Sequence, residues 1–151
     1  MKITNKKIKG IKKDKWVWMP HAGHLIVSDK CRFHLNTKVG KYIISTVGEY
    51  WPEREVREIH AKVYDLKWLL ENKHLLGDNF DNAYIKRFGF VEIGCDRTYE
   101  TMVFKANKSK YKCCPYVAAS WRELDMDGYK TAEDAYKGHL KMCKKWANKN
   151  L

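Results

Sequence analysis

The chain has 151 residues, 44% of them hydrophobic, with six tryptophans and nine tyrosines. That composition excludes a disordered polypeptide and allows one domain whose core needs no disulfide staples. No run of eighteen apolar residues occurs, which excludes a helical membrane span. The net charge of +12 is uneven: residues 1–15, 105–112 and 137–151 carry +6, +4 and +5, and the remainder −3. Such segments attract polyanions in a salt-dependent way. The charge is mostly lysine, 24 against six arginines. An AT-rich genome produces the same bias, and lysine lacks the bidentate fork that arginine offers a phosphate.

Residues 1–15 read as a basic, mobile N-terminal tail without the apolar stretch of a signal peptide, so the cytoplasm is the expected compartment. Residues 16–151 read as a single domain. KWVWM (15–19) is a short strand ended by Pro20, GHLIVS (23–28) a buried strand, and 28–30 a turn. Residues 31–35 form a third short strand or a helical turn. KYIISTV (41–47), bracketed by Gly40 and Gly48, is the clearest strand. VREIHAKVY (56–64) fits both periods. The short turn before it favours a strand, paired in a hairpin with 41–47, which would bring His60 toward the histidines of 21–34.

Two short helices follow, 66–75 capped by Asp65 and stopped by Gly77, and 78–87 ended by Gly89. Residues 90–93 and 99–105 suggest a hairpin across 94–97. Residues 131–146 are the best helix, with Thr131 as cap, Asp134 completing a capping box, and Ala135, His139, Met142, Cys143 and Trp146 in one stripe. The expected fold is a single α+β domain: a small, mostly antiparallel sheet with two short helices and a longer C-terminal helix.

Three groups of residues carry chemistry. His139 and Cys143, four apart on a helix, face the same way, and Cys113 and Cys114 precede them in a loop stiffened by Pro115. Five cysteines in a reducing compartment favour free thiols or metal ligands, so Cys113, Cys114, His139 and Cys143 are candidate zinc ligands. Cys31 or His34 is the substitute if adjacent cysteines cannot both turn inward. The second group is His21, His24 and His34, joined by His60. These could hold a catalytic metal or work as general acid and base on a phosphodiester. Glu49 and Glu58 are the carboxylates that would orient an imidazole, and Arg57 the cation that would steady a phosphate. Asp78 and Asp81 suggest Mg²⁺ or Ca²⁺, or helix capping, which their position favours. Lys108, Lys110 and Lys141 represent the basic loop and the C-terminal helix as anion attractors.

The stretches MPHAGH (19–24), CRFH (31–34), STVGEYWP (45–52), VREIHA (56–61), RTYETMVF (97–104), CCP (113–115) and GHLKMC (138–143) resemble a group of small uncharacterised proteins encoded by bacteriophages and some bacteria. The resemblance supplies no mechanism. It implies a phage-type setting, in which small proteins modify or shelter phage nucleic acid or disarm a host defence. The leading expectation is an accessory or counter-defence protein that binds a phosphate-bearing ligand, nucleic acid or a nucleotide signal, and carries a Cys/His metal site. The alternatives are a metal- or histidine-dependent phosphodiesterase and an inhibitor that blocks a host defence protein by surface contact.

Overall fold

The structure, a computed structural model, describes residues 16–149 apart from 22, 25–29, 76–78, 91 and 95. The expected tail, the strand over 23–28, the Gly77 stop and the Asp78 half of the acidic pair lie wholly or largely outside the described residues. The chain divides into two units, Met1–Tyr50 with Glu92–Leu151, and Trp51–Val91. Among the described residues no helix is long and apolar enough to cross a membrane.

The first unit is an antiparallel sheet with one long helix. Strands β1 (Trp16–Met19), β2 (Cys31–Val39), β3 (Tyr42–Tyr50) and β4 (Tyr99–Lys108) run in that spatial order. β5 (Tyr116–Ala118) and β6 (Asp125–Tyr129) both pair with β4. The β2–β3 turn is two residues long, because Val39 pairs with Tyr42. Gly40 sits there at φ +54, a left-handed conformation that suits glycine.

Register places Leu35, Thr46 and Thr101 in one row and Thr37, Ile44 and Val103 in the next, all on one face. The C-terminal helix covers this inner face. It is α4 in chain order and spans Ala132–Ala147. Its expected stripe is buried throughout, and the Thr131 hydroxyl accepts from the Asp134 amide at 3.1 Å. Met142, Cys143 and Trp146 join Trp16, Val39, Tyr42, Ile44 and Val103 in one core, with the Trp146 and Tyr42 rings edge to face at 4.8 Å.

β6 reads DMDGY, a sequence poor in strand formers. It is held by its pairing with β4 and by Asp125, whose carboxylate accepts from Lys145 Nζ at 2.6 Å and Trp146 Nε1 at 3.0 Å on α4. Partial burial raises the pKa of this carboxyl, but those two hydrogen bonds outweigh it and hold the group below its usual range. The expected hairpin over 90–105 is replaced by an isolated Gly94–Arg97 bridge. Both edges of β4 are taken by β3 on one side and β5 and β6 on the other.

Gly48 was expected just beyond the central strand but lies within β3. A Cβ there would stand 2.1 Å from the Tyr99 ring. Gly48→Ala is therefore expected to lower stability by roughly 1–3 kcal/mol or more, read as a fall in urea midpoint with unchanged slope. An unchanged midpoint would mean that Tyr99 swings away at no cost.

The second unit holds three short helices, α1 (Arg54–Tyr64), α2 (Leu66–Glu71) and α3 (Phe80–Phe88), with a 3-10 turn at Lys73–Leu75. Residues 56–64 are thus helical, correcting the expected strand. β2 and β4 occupy both edges of β3, so no hairpin partner fits there. Asp65 caps α2 by accepting from the Trp68 amide at 3.0 Å, and Gly89 closes α3 at φ +72. Ala61, Phe80 and Tyr84 form a small core with Trp51, Trp68, Leu69 and Phe88 around it.

Candidate metal site and basic groove

Pro20, His21, Gly23 and His24 lie against the outer face of the sheet, opposite α4, and polar side chains of that face fix them. Asn36 Nδ2 donates to the His21 carbonyl at 3.0 Å. His34 Nε2 donates to the Pro20 carbonyl at 2.8 Å. His24 is buried, with Nδ1 2.7 Å from Ser45 Oγ and Nε2 3.8 Å from Glu100, a buried carboxylate that also pairs with Arg97 at 3.0 Å. The expected cluster His21, His24 and His34 therefore meets along one short segment, yet each imidazole has a separate task. His21 and His34 are both exposed, but His34 is held by the Pro20 carbonyl, whereas His21 faces a pair of cysteines.

Opposite His21 stands the loop between β4 and β5. It is closed by the Ser109 amide donating to the Pro115 carbonyl at 2.8 Å, and it carries Cys113 and Cys114. His21 Nδ1 lies 3.3 Å from Cys114 Sγ. The ligand atoms of His21, Cys113 and Cys114 all fall within 4.8 Å of one another, and this cluster can hold a metal ion. Tetrahedral metal–sulfur bonds of about 2.3 Å set sulfurs about 3.8 Å apart, so binding needs little rearrangement. Burial, aided by the neighbouring Cys113, pushes the Cys114 thiol up, and a hydrogen bond from the His21 backbone works against that rise. The four described cysteines, Cys31, Cys113, Cys114 and Cys143, are free of disulfides.

His139 and Cys143 do not join this site, which corrects the expected four-ligand set. Their stripe on α4 is the face that meets the core. His139 Nε2 is 2.9 Å from Thr37 Oγ1, and Nδ1 is 2.7 Å from Thr46 Oγ1, so both ring nitrogens are used. Thr46 continues to Thr101 at 2.6 Å, and the Trp18 ring lies 5.5 Å from the imidazole. Burial holds the His139 pKa at about 3 and pushes the Cys143 thiol well up. The alternates do not serve either, since Cys31 is buried in β2 and His34 is committed to Pro20.

The remaining candidates are dispersed. His60 lies in the three-helix unit, its Nδ1 2.6 Å from the Tyr84 hydroxyl and its ring among those of Tyr64, Tyr84 and Phe88. Arg57 is buried there against Trp51, donating to the Pro52 carbonyl and to Asp81 at 2.5 Å, so its guanidinium is not presented to a phosphate. That same contact makes Asp81 an ion-pair partner. Glu58 pairs with Arg54 at 3.2 Å on the same helix. Glu49, next to last in β3, has φ +55 and lies beside Tyr99, whose phenol is pushed up first by burial and then by the Glu49 charge.

The lysines divide as well. Lys141 borders a mixed-charge hollow with Asp96, Arg97, Asp127, Lys130 and Asp134. On the same helix Lys137 pairs with Glu133 at 2.8 Å, and Lys145 pairs with Asp125. Lys108 lines a groove of about 320 Å³ with Lys38, Lys41, Lys105 and Tyr116, and among the described residues no acid borders it. Lys110 lies two residues beyond Lys108, in the β4–β5 loop, with its ammonium 5.9 Å from the centre of the Tyr111 ring. Sequence reading missed Lys38 and Lys41 because they flank the Gly40 turn, far in the chain from the basic loop. It missed the union of His21 with Cys114 for a similar reason: they are 93 positions apart. Comparison with protein families, with curated proteins and with solved structures finds no match.

Proposed function

We propose that this chain binds phosphate groups of a nucleic acid or nucleotide in the groove of Lys38, Lys41, Lys105 and Lys108, and that a zinc ion at His21, Cys113 and Cys114 ties down the adjoining loop. The observation that carries this reading is four lysines, from β2, β4 and the β2–β3 turn, lining one groove with no carboxylate among its described residues. Tyr116 on the wall, with Lys38 Nζ 4.5 Å from its ring centre, offers a face for stacking a base. The donor set of two thiols and an imidazole favours zinc over harder ions. Three protein ligands leave a fourth position for water or a ligand.

Binding is preferred to phosphodiester cleavage because His24, His34 and His60 each already have a neighbour of their own. The resemblance to small phage and bacterial proteins sets the ligand, in this reading, in the cytoplasm of an infected or bacterial cell.

The test is fluorescence anisotropy with labelled single-stranded and duplex oligonucleotides across a salt series. Four phosphate contacts predict a slope of log affinity against log salt of about −3 to −4. Lys105→Glu with Lys108→Glu is expected to weaken binding at least about tenfold at low salt. Affinity that ignores both salt and this double substitution would overturn the reading and turn attention to contact with a host protein.

A further inference from the structure

α1 carries an apolar stripe on its outward side. Arg57 and Ala61 are its buried residues, so they define the direction of the unit's core. At 3.6 residues per turn, the opposite side centres on Ile59, with Val63 and Val56 beside it. These three are 63%, 69% and 52% exposed. Leu66 and Leu70 of α2 are also more than half exposed, and a shallow groove bordered by Glu55, Glu58, Lys62 and Leu69 runs beside Ile59. A contiguous apolar stripe of this kind on a folded unit marks an interaction surface.

The charges beside the stripe specify what covers it. Glu55 and Lys62 lie on the same flank, seven residues and about two turns apart, one on each side of Ile59. Two copies of α1 that meet antiparallel about a two-fold axis at Ile59 set Ile59 against Ile59 and Val56 against Val63. On the shared flank, Glu55 of each copy then meets Lys62 of the other. A parallel pairing about a two-fold axis sets this charged flank against the valine flank of the other copy, so that neither Glu55 nor Lys62 meets an opposite charge. An isologous contact needs such self-complementarity, and this flank has it. We propose that the protein forms a homodimer through antiparallel packing of α1 on α1. The proposal is independent of the metal site and of the basic groove.

Sedimentation of the full chain tests it, with circular dichroism to verify folding. The wild type is expected to be a dimer at micromolar concentration. Ile59→Asp, at an exposed position, should leave the fold intact and weaken dimerisation at least about a hundredfold. Glu55→Lys alone and Lys62→Glu alone should each weaken it about tenfold, because each places like charges together twice per dimer. The double reversal Glu55→Lys with Lys62→Glu should recover wild-type dimerisation. A monomeric wild type would overturn the proposal. So would a dimer indifferent to Ile59→Asp, or a double reversal no better than either single change.

Discussion

Lowering the pH from 7 to 3.5 is expected to remove about 4 kcal/mol of folding stability through His139 alone. The unfolded imidazole takes a proton near 6.5, whereas the buried one resists protonation down to about 3. Between those values the unfolded state binds more protons, so stability falls as the pH falls and levels off below about 3. The cause is geometric. An imidazolium would sit in a fully buried site whose polar neighbours are the hydroxyls of Thr37 and Thr46, with no carboxylate bonded to the ring. His139→Leu should cost about 1–3 kcal/mol at pH 7, where Thr37 and Thr46 lose a partner. It should then lose much less on acidification than the wild type. Carboxylates such as Asp125 titrate in both proteins and cancel in the difference. Urea unfolding of both at pH 7 and pH 4 provides the measurement. Parallel losses in the two proteins would show that His139 is not the acid-sensitive group.

The second large effect concerns the metal. Protein purified without chelator is expected to hold one zinc ion per chain by elemental mass spectrometry. Cys114→Ser and His21→Ala should each weaken zinc binding by at least about a hundredfold. Cys143→Ser should retain the metal, because that thiol is in the core beneath α4. Asn36→Ala gives a finer test. It leaves all three ligands but removes the amide that holds the His21 carbonyl, and should cost about tenfold in affinity. Metal retained in Cys114→Ser and lost in Cys143→Ser would reverse the assignment.

Much of the fold could be read along the chain. Thr131 and the stripe of α4, Asp65 before α2, Gly89 after α3 and the β-branched run of β3 are local signals, each involving residues a few positions apart. The segment 56–64 misled for a local reason too. Its valines and isoleucine do recur at helical spacing, but they face away from the unit's core, while Arg57 and Ala61 turn toward it. Polarity along a helix shows which sides differ. It does not show which side meets a neighbour. β6 was silent because its order comes from β4 and α4, not from its own residues.

The sequence by itself determined the α+β class, the long capped C-terminal helix, the central strand and the uneven lysine charge, since these follow from spacing and propensity within short windows. Tertiary structure decided which ligands meet. His139 and Cys143 share a helix face as their spacing requires, but sheet packing turns that face into the core. His21 reaches Cys113 and Cys114 because Asn36 and His34 pin its segment to the outer face. Lys38 of β2 and Lys41 of the β2–β3 turn reach the lysines of β4 because β2, β3 and β4 pair in sequence. Convergence of distant residues depends on strand register and helix docking, which arise from the summed packing of the whole chain and leave no mark in the spacing of any one motif.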